Sequence, residues 1–184
     1  MFEQAGAPEN VFLRDVQAFR AAGMGALRHA RLPALPPSRD ISVALLQSVL
    51  SAEIICVMRY TMLAVSEDGL ANDNIATEFQ AQASDERRHM AILAARIRAL
   101  GGVPNFKPAG LSERAAELGG SNAGFAVRLR QNLAAEQCVV EHYCALVAFF
   151  EQHDPETAAI LEDILRDEED HRSDMQDLLL SYPE

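Results

Sequence analysis

Only three of the 184 residues are cysteines, and Cys56, Cys138 and Cys144 form no Cys-x-x-Cys pair. A disulfide framework is therefore excluded, and no zinc or rubredoxin-type cluster is suggested; a reducing cytoplasm is the expected compartment. Lysine is scarcer still. Of 16 basic residues only Lys107 is not arginine, against 27 acidic residues and a formal net charge of -11. Such a balance argues against a nucleic-acid partner and suits a surface that draws in metal ions. Long apolar runs are also missing from the first forty residues, where Arg14, Arg20, Arg28 and Arg31 break up any signal-type stretch. No later segment reads as a membrane span, so no membrane partner is expected.

What is present is one domain's worth of helix-forming sequence. At 49% hydrophobic content the chain can bury a full core but is too short for two ordinary domains. From Asp40 onward β-branched alternation is sparse, and the stops are where helices end. Four long helices are predicted. The first follows "PPSRD" and runs over about 40–66; the second starts near Asn72 or Asp73 and reaches Leu100, where "GG" supplies the C-cap. A third starts at Ser121 or Asn122, and a fourth is announced by "DPE", with Asp154 as N-cap and Pro155 at the first helical position. Short joints make each pair an antiparallel hairpin, and a linker of about twenty residues between them, with a short helix at 111–118, is long enough to span a bundle. Residues 1–39, with Pro33, Pro36 and Pro37, read as an N-terminal extension appended to the 40–184 domain; 10–30 suits a surface helix or mobile tail better than a targeting segment.

Two stretches carry the chemistry. "SDERRHM" contains Asp85-Glu86-x-x-His89, and "RDEEDHR" contains Asp167-Glu168-x-x-His171. The first and third helices add "EIICVMRY" and "EQCVVEHY", each a Glu followed seven residues later by a Tyr: Glu53 with Tyr60, Glu136 with Tyr143. From Glu53 to Glu136 the offset is 83 residues, and from His89 to His171 it is 82. The second half therefore repeats the first, with one residue of slippage. On a helix, positions three apart differ by about 60° in azimuth and positions seven apart by about 20°. Each Glu-His pair thus addresses one point, and each Tyr shares its Glu's face.

These groups also fall where a leucine would be expected. Ile75, Phe79, Ala83, Glu86, His89, Met90, Leu93 and Ile97 form one stripe, and Ile164, Leu165, Glu168, His171, Met175 and Leu178 another. Each Glu lies 13 or 14 residues from its helix start, so all four meet at mid-bundle. Four ionised carboxylates in an apolar interior repel one another and lose hydration, so they must take up protons or bind cations. Two divalent ions fit: Glu53 and Glu136 as terminal ligands, Glu86 and Glu168 as bridges, His89 and His171 as one imidazole per metal. This oxygen-rich set with open positions suits Fe(II), or Mn(II), better than a closed structural zinc. Tyr60 and Tyr143 have two equal readings, as hydrogen-bond partners or electron donors to the site, or as packing. Asp85 and Asp167 read as partners orienting the imidazoles. Cys56, one turn after Glu53, reads first as a buried structural thiol and second as a group that approaches the metals; His29, His142 and His153 read as surface residues.

With these motifs the chain resembles the ferritin-like superfamily, and within it bacterioferritin and its relatives. The likeness spans about 40–180, carried by "LSAEIICVMRYTMLA", "DERRHMAILAARIRALGGVPN", "LAAEQCVVEHY" and "ILRDEEDH". It implies an all-α, ferritin-like four-helix bundle of two antiparallel hairpins joined by a long crossover. It further implies an intrasubunit ferroxidase site with two iron ions per subunit on Glu53, Glu86, His89, Glu136, Glu168 and His171. The expected activity is oxidation of Fe(II) by O2 or H2O2 for iron storage or detoxification; the alternative is a di-iron hydroxylase acting on an organic substrate. Bacterioferritins place a haem-ligating Met directly after the second-helix Glu, where this chain has Arg87, so haem is not expected. Only thirteen residues follow His171, which leaves little for the family's short fifth helix. A homo-oligomer, as a dimer or a larger shell, is the expected assembly. Rubrerythrin-like chemistry is disfavoured by Val139, where that family places an additional Glu.

Overall fold

A computed structural model describes residues 11–30, 38–67, 73–107 and 125–181. These form helices α1 (Val11–Ala30), α2 (Arg39–Glu67), α3 (Asp73–Ala99), α4 (Phe125–Phe150) and α5 (Pro155–Ser181), with no strand among the described residues. The proline-rich approach to α2, the start expected at Ser121 or Asn122 and the short helix expected at 111–118 lie outside the described residues.

The helix ends follow local chemistry. The carbonyl of Ser38 accepts hydrogen bonds from the amides of Ile41 and Ser42, and Asp40 places a negative charge at the positive end of α2. At the end of α3, Gly102 N–H donates to Ile97 and Gly101 N–H to Arg98, with Gly101 at φ 76°. That is the Schellman arrangement, and it needs the left-handed backbone that glycine adopts without strain. Asp154 caps α5: its Oδ1 accepts from the amide of Thr157 at 3.2 Å, and Pro155 opens the helix.

Four helices form the bundle. α2 packs on α3 and α4 on α5 as the two hairpins, with lighter packing of α2 on α4 and α3 on α5. Ser48 faces His142 while Arg59 faces Asn132, so α2 and α4 run antiparallel. Arg88 meets Asp167 and Arg96 meets Thr157, so α3 and α5 do the same. After α3 the chain is held near the start of α2 by Gln47, which exchanges two hydrogen bonds with the Asn105 backbone. The first turns of α4, by contrast, lie at the other end, where Asn132 meets Arg59. The two hairpins are therefore joined across the length of the bundle.

The stretch expected as an appended extension contains α1, which lies against both α2 and α4. Val16 is buried, and Arg20 forms an ion pair with Glu141 at 2.7 Å. Gly23 sits so close to the bundle that an added Cβ would lie 2.5 Å from His142 Nε2 and 2.7 Å from Ser48 Oγ. With α1 on one side and the bundle interior on the other, α2 and α4 have little surface left for polar residues.

This accounts for a feature the sequence reading missed. α2 and α4 are long and apolar enough to cross a membrane. Between Ile41 and Met58 the only charged residue is Glu53. Both helices are instead core elements, contacted by α1 and by their bundle partners, and most of each apolar window is buried.

Candidate metal centre

The periodic stripes on α3 and α5 turn Glu86, His89, Glu168 and His171 inward among Phe79, Ala83, Leu93, Ile164 and Met175, and all of these side chains are buried. Glu53 and Glu136 enter from α2 and α4, also buried. The six residues expected as ligands therefore converge. One group joins Glu53, Glu86, His89 and Glu168, and a second joins Glu136, Glu168 and His171; within each, the ligand atoms lie within 4.8 Å of one another. Glu168 belongs to both groups, and Glu86 reaches the second through Oε1, 3.4 Å from His171 Nδ1. The two carboxylates expected as bridges are thus the two that lie between the imidazoles, whose ring centroids are 6.2 Å apart.

Each imidazole presents Nδ1 to the carboxylates and Nε2 to the opposite helix. His89 Nδ1 lies 2.9 Å from Glu168 Oε1, 3.2 Å from Glu86 Oε2 and 3.7 Å from Glu53 Oε2. Its Nε2 lies 3.1 Å from Asp167 Oδ2, which also accepts from Arg88 at 2.8 Å. His171 mirrors this more loosely, with Nε2 3.7 Å from Asp85. The Asp preceding each Glu therefore addresses the His of the other helix, which gives the fixed order Asp-Glu-x-x-His a geometric reason. A carboxylate can only accept, so Asp167 holds the proton on His89 Nε2 and leaves Nδ1 as the donor atom for a cation.

The repeat is not symmetric throughout. The Tyr143 hydroxyl donates to Glu53 Oε1 in a short hydrogen bond. Tyr60, equally buried and stacked on Phe79, has a hydroxyl with no hydrogen-bond partner. Arg87 is exposed and hydrogen-bonds Thr61 across the hairpin.

Electrostatically the site is overloaded with negative charge. Burial, reinforced by the charges of Glu86 and Glu168, pushes the Glu53 carboxyl well above its ordinary range, and burial with Glu168 does the same to Glu136. Glu86 is raised by burial too, but its close contacts with Glu53, His171 and His89 outweigh this and hold it low. Burial disfavours the imidazolium forms, yet the carboxylates prevail: Glu168 and Glu86 push His171 up to about 12, and Glu168, Glu53 and Glu86 raise His89 strongly. Without metal, protons on the imidazoles supply the positive charge that the carboxylates demand.

Protons satisfy this donor set poorly. Both oxygens of Glu136, both of Glu168, one each of Glu53 and Glu86, and Nδ1 of His171 are buried without a hydrogen bond. Leaving that many polar atoms unpaired is costly, and all of them belong to the two ligand groups. The residues therefore fit a pair of divalent cations.

The chain is matched over residues 43–182 by the family model of the ferritin-like domain. It belongs to the ferritin-like family. Within that family it is similar to the bacterioferritins of Mycobacterium bovis (strain ATCC BAA-935 / AF2122/97) and Mycobacterium tuberculosis. Identity to each is 28% over 130 residues, covering 69% of this chain and 76% of the relative. Among solved structures it is similar to the dodecameric thioferritin, a bacterioferritin-related protein, of Bacteroides fragilis, at 27% identity and a TM-score of 0.67, covering 90% of this chain and 94% of that one. The bacterioferritin of Desulfovibrio desulfuricans shares the fold at a TM-score of 0.69 and 22% identity, over 79% and 82% of the two chains.

Two residues near the centre differ from the sequence expectation. His142, expected at the surface, is buried between α1 and α2 with Nε2 3.2 Å from Ser48 Oγ. The cover that buries it comes from α1, and nothing in its own helix signals that. His153 is exposed as expected, and the His29 side chain lies outside the described residues. Cys56 is buried, as expected, but not remote from the ligands: its Sγ groups with oxygens of Glu86 and Glu136, again within 4.8 Å. Its position one turn after Glu53 carried that signal.

Proposed function

We propose that this protein is a ferroxidase of the iron-storage or iron-detoxification type, binding two Fe(II) ions and passing their electrons to O2 or H2O2. The carrying observation is the set of buried carboxylate oxygens that have no hydrogen bond and meet between two imidazoles. Glu53 and Glu136 serve as terminal ligands, Glu86 and Glu168 as bridges, and His89 and His171 supply one imidazole to each ion. Fe(II) is the substrate: each ion gives up one electron, and with H2O2 two electrons and two protons yield two waters. The protein holds the pair at fixed separation and supplies the negative charge that favours Fe(III) over Fe(II). Asp167 and Asp85 orient the imidazoles, and Tyr143 fixes Glu53. Tyr60 and Tyr143 serve as electron relays in this reading.

A surface hollow of about 270 Å³ lies further along α3 and α5, lined by Glu78, Asp174, Asp177, Leu178 and Ser181. Asp174 stands one turn beyond His171, and three of the five lining residues are carboxylates, which offer an arriving cation a landing point. A homo-oligomeric shell in the cytoplasm completes this reading, in line with the dodecamer named for the Bacteroides fragilis relative.

Aerobic Fe(II) titration followed by sedimentation velocity tests it. Wild-type protein is expected to oxidise a first equivalent of two irons per chain rapidly, and to sediment as a particle of about twelve chains that gains mass with further iron. Glu86→Ala and Glu168→Ala are expected to lose paired binding; two irons per chain in either variant refutes the ligand assignment. A dimer that stops at two metals per chain points instead to hydroxylase chemistry on an organic substrate.

A further inference from the structure

The proposed ligand set leaves one metal-binding side chain at the centre unused. Cys56 is 1% exposed, and its Sγ lies within 4.8 Å of oxygens of Glu86 and Glu136. Glu136 is itself unsatisfied: neither of its buried oxygens has a hydrogen bond. Cys56 reaches them from α2, one turn past Glu53 and on the same side of that helix. In the internal repeat its counterpart, 83 residues on, is Val139, an apolar residue on α4. The two halves are therefore chemically unequal: among the described residues a thiol groups with Glu136, and none groups with Glu53 and His89.

We propose that Cys56 is a direct thiolate ligand to the metal held by Glu136 and His171, making the pair one all-oxygen-and-nitrogen ion and one sulfur-ligated ion. This rests on the di-metal reading of the centre. On binding, the thiol proton passes to solvent water and a metal–sulfur bond takes its place, with no change in oxidation state. Sulfur and oxygen donors at about 2.3 and 2.1 Å from one ion lie roughly 3.1 Å apart at a right angle and roughly 3.6 Å apart at the tetrahedral angle. Closing the observed group onto an ion therefore needs a carboxylate swing of about one to two ångströms. The chemical consequence is selectivity. A thiolate among carboxylates shifts preference from Mn(II) toward Fe(II), Co(II) and Zn(II) at that position.

Two redox-inert loadings of the full chain test this. With Co(II), added anaerobically, wild-type protein is expected to bind two ions per chain and show an intense near-ultraviolet sulfur-to-cobalt charge-transfer band. Cys56→Ser loses that band, whereas Cys138→Ser and Cys144→Ser keep it. With Zn(II), X-ray absorption of the wild type is expected to show a sulfur neighbour at about 2.3 Å alongside shorter nitrogen and oxygen distances. Two metals per chain without a sulfur signature, or a signature that survives Cys56→Ser, overturns the thiolate and leaves the di-metal reading standing. Failure of the wild type to bind two ions overturns both. The zinc spectrum needs no variant, so a poorly folded Cys56→Ser does not spare the proposal.

Discussion

His142 shows how one side chain acquires its properties from a neighbour distant in sequence. Ser48 spends its hydroxyl proton on the carbonyl of Leu45 at 2.6 Å, so its oxygen is free only to accept, and His142 Nε2 must be the donor. Burial and the positive charge of Arg20 pull the His142 imidazole down to about 4. The sign follows: as pH falls below about 6.5 the unfolded chain takes a proton that the folded state refuses, so stability declines until about pH 4 and then levels. At most this slope is about 1.4 kcal/mol per pH unit. His142→Gln keeps a donor but cannot titrate, so the gap between its urea midpoint and that of the wild type should narrow in its favour between pH 7 and pH 4.5. Parallel shifts would show that His142 titrates normally. The candidate ligands were legible because a Glu and a His three apart break an apolar stripe, where a cation would justify them. His142 breaks a stripe too, but the reason lies in α1.

The elements extend that contrast. Caps are local, and "GG" after α3 and "DPE" before α5 mark their helices within a residue because the groups they satisfy are one turn away. Docking of α1 is not local, and its signature is a small residue that reads only as a weak helix former. Gly23 and Gly25 look alike in sequence, yet a Cβ at Gly23 would overlap His142 and Ser48, whereas Gly25 has nothing within 4 Å. In an exposed helix either change to Ala gains about 1 kcal/mol. Gly25→Ala should be neutral or stabilising by that amount. Gly23→Ala should lose roughly 1–3 kcal/mol through overpacking, with faster proteolytic cleavage within α1, read by limited digestion and mass spectrometry. Equal behaviour of the two variants would mean that α1 does not hold this docked position. The long apolar windows of α2 and α4 were the available hint, since a helix with so narrow a polar face needs cover on most sides.

At the scale of the whole molecule, each of the four bundle helices delivers at least one carboxylate to the same buried point, so the fold and its charge state are one problem. Raised acids and raised imidazoles both favour protonation in the folded state. Glu53 and Glu136 therefore contribute stability that is lost as pH climbs above the ordinary carboxyl range of about 4.5. His171, pushed up to about 12, and His89, also raised, contribute stability that is full below about 6.5 and declines as pH rises past it. Glu86 has the opposite sign, but its effect is confined to acid below 4.5. Between pH 6 and 8 the metal-free bundle should thus weaken steadily, while divalent metal, which competes with those protons, should bind more tightly over the same range. Each site occupied at a hundred times its dissociation constant adds about 2.7 kcal/mol. The difference in Tm between Zn(II)-loaded and chelator-treated protein should therefore widen as pH rises from 6 to 8. A constant difference would mean that the carboxylates and imidazoles are not titrating against the metal, and that the cations sit elsewhere than among Glu53, Glu86, His89, Glu136, Glu168 and His171.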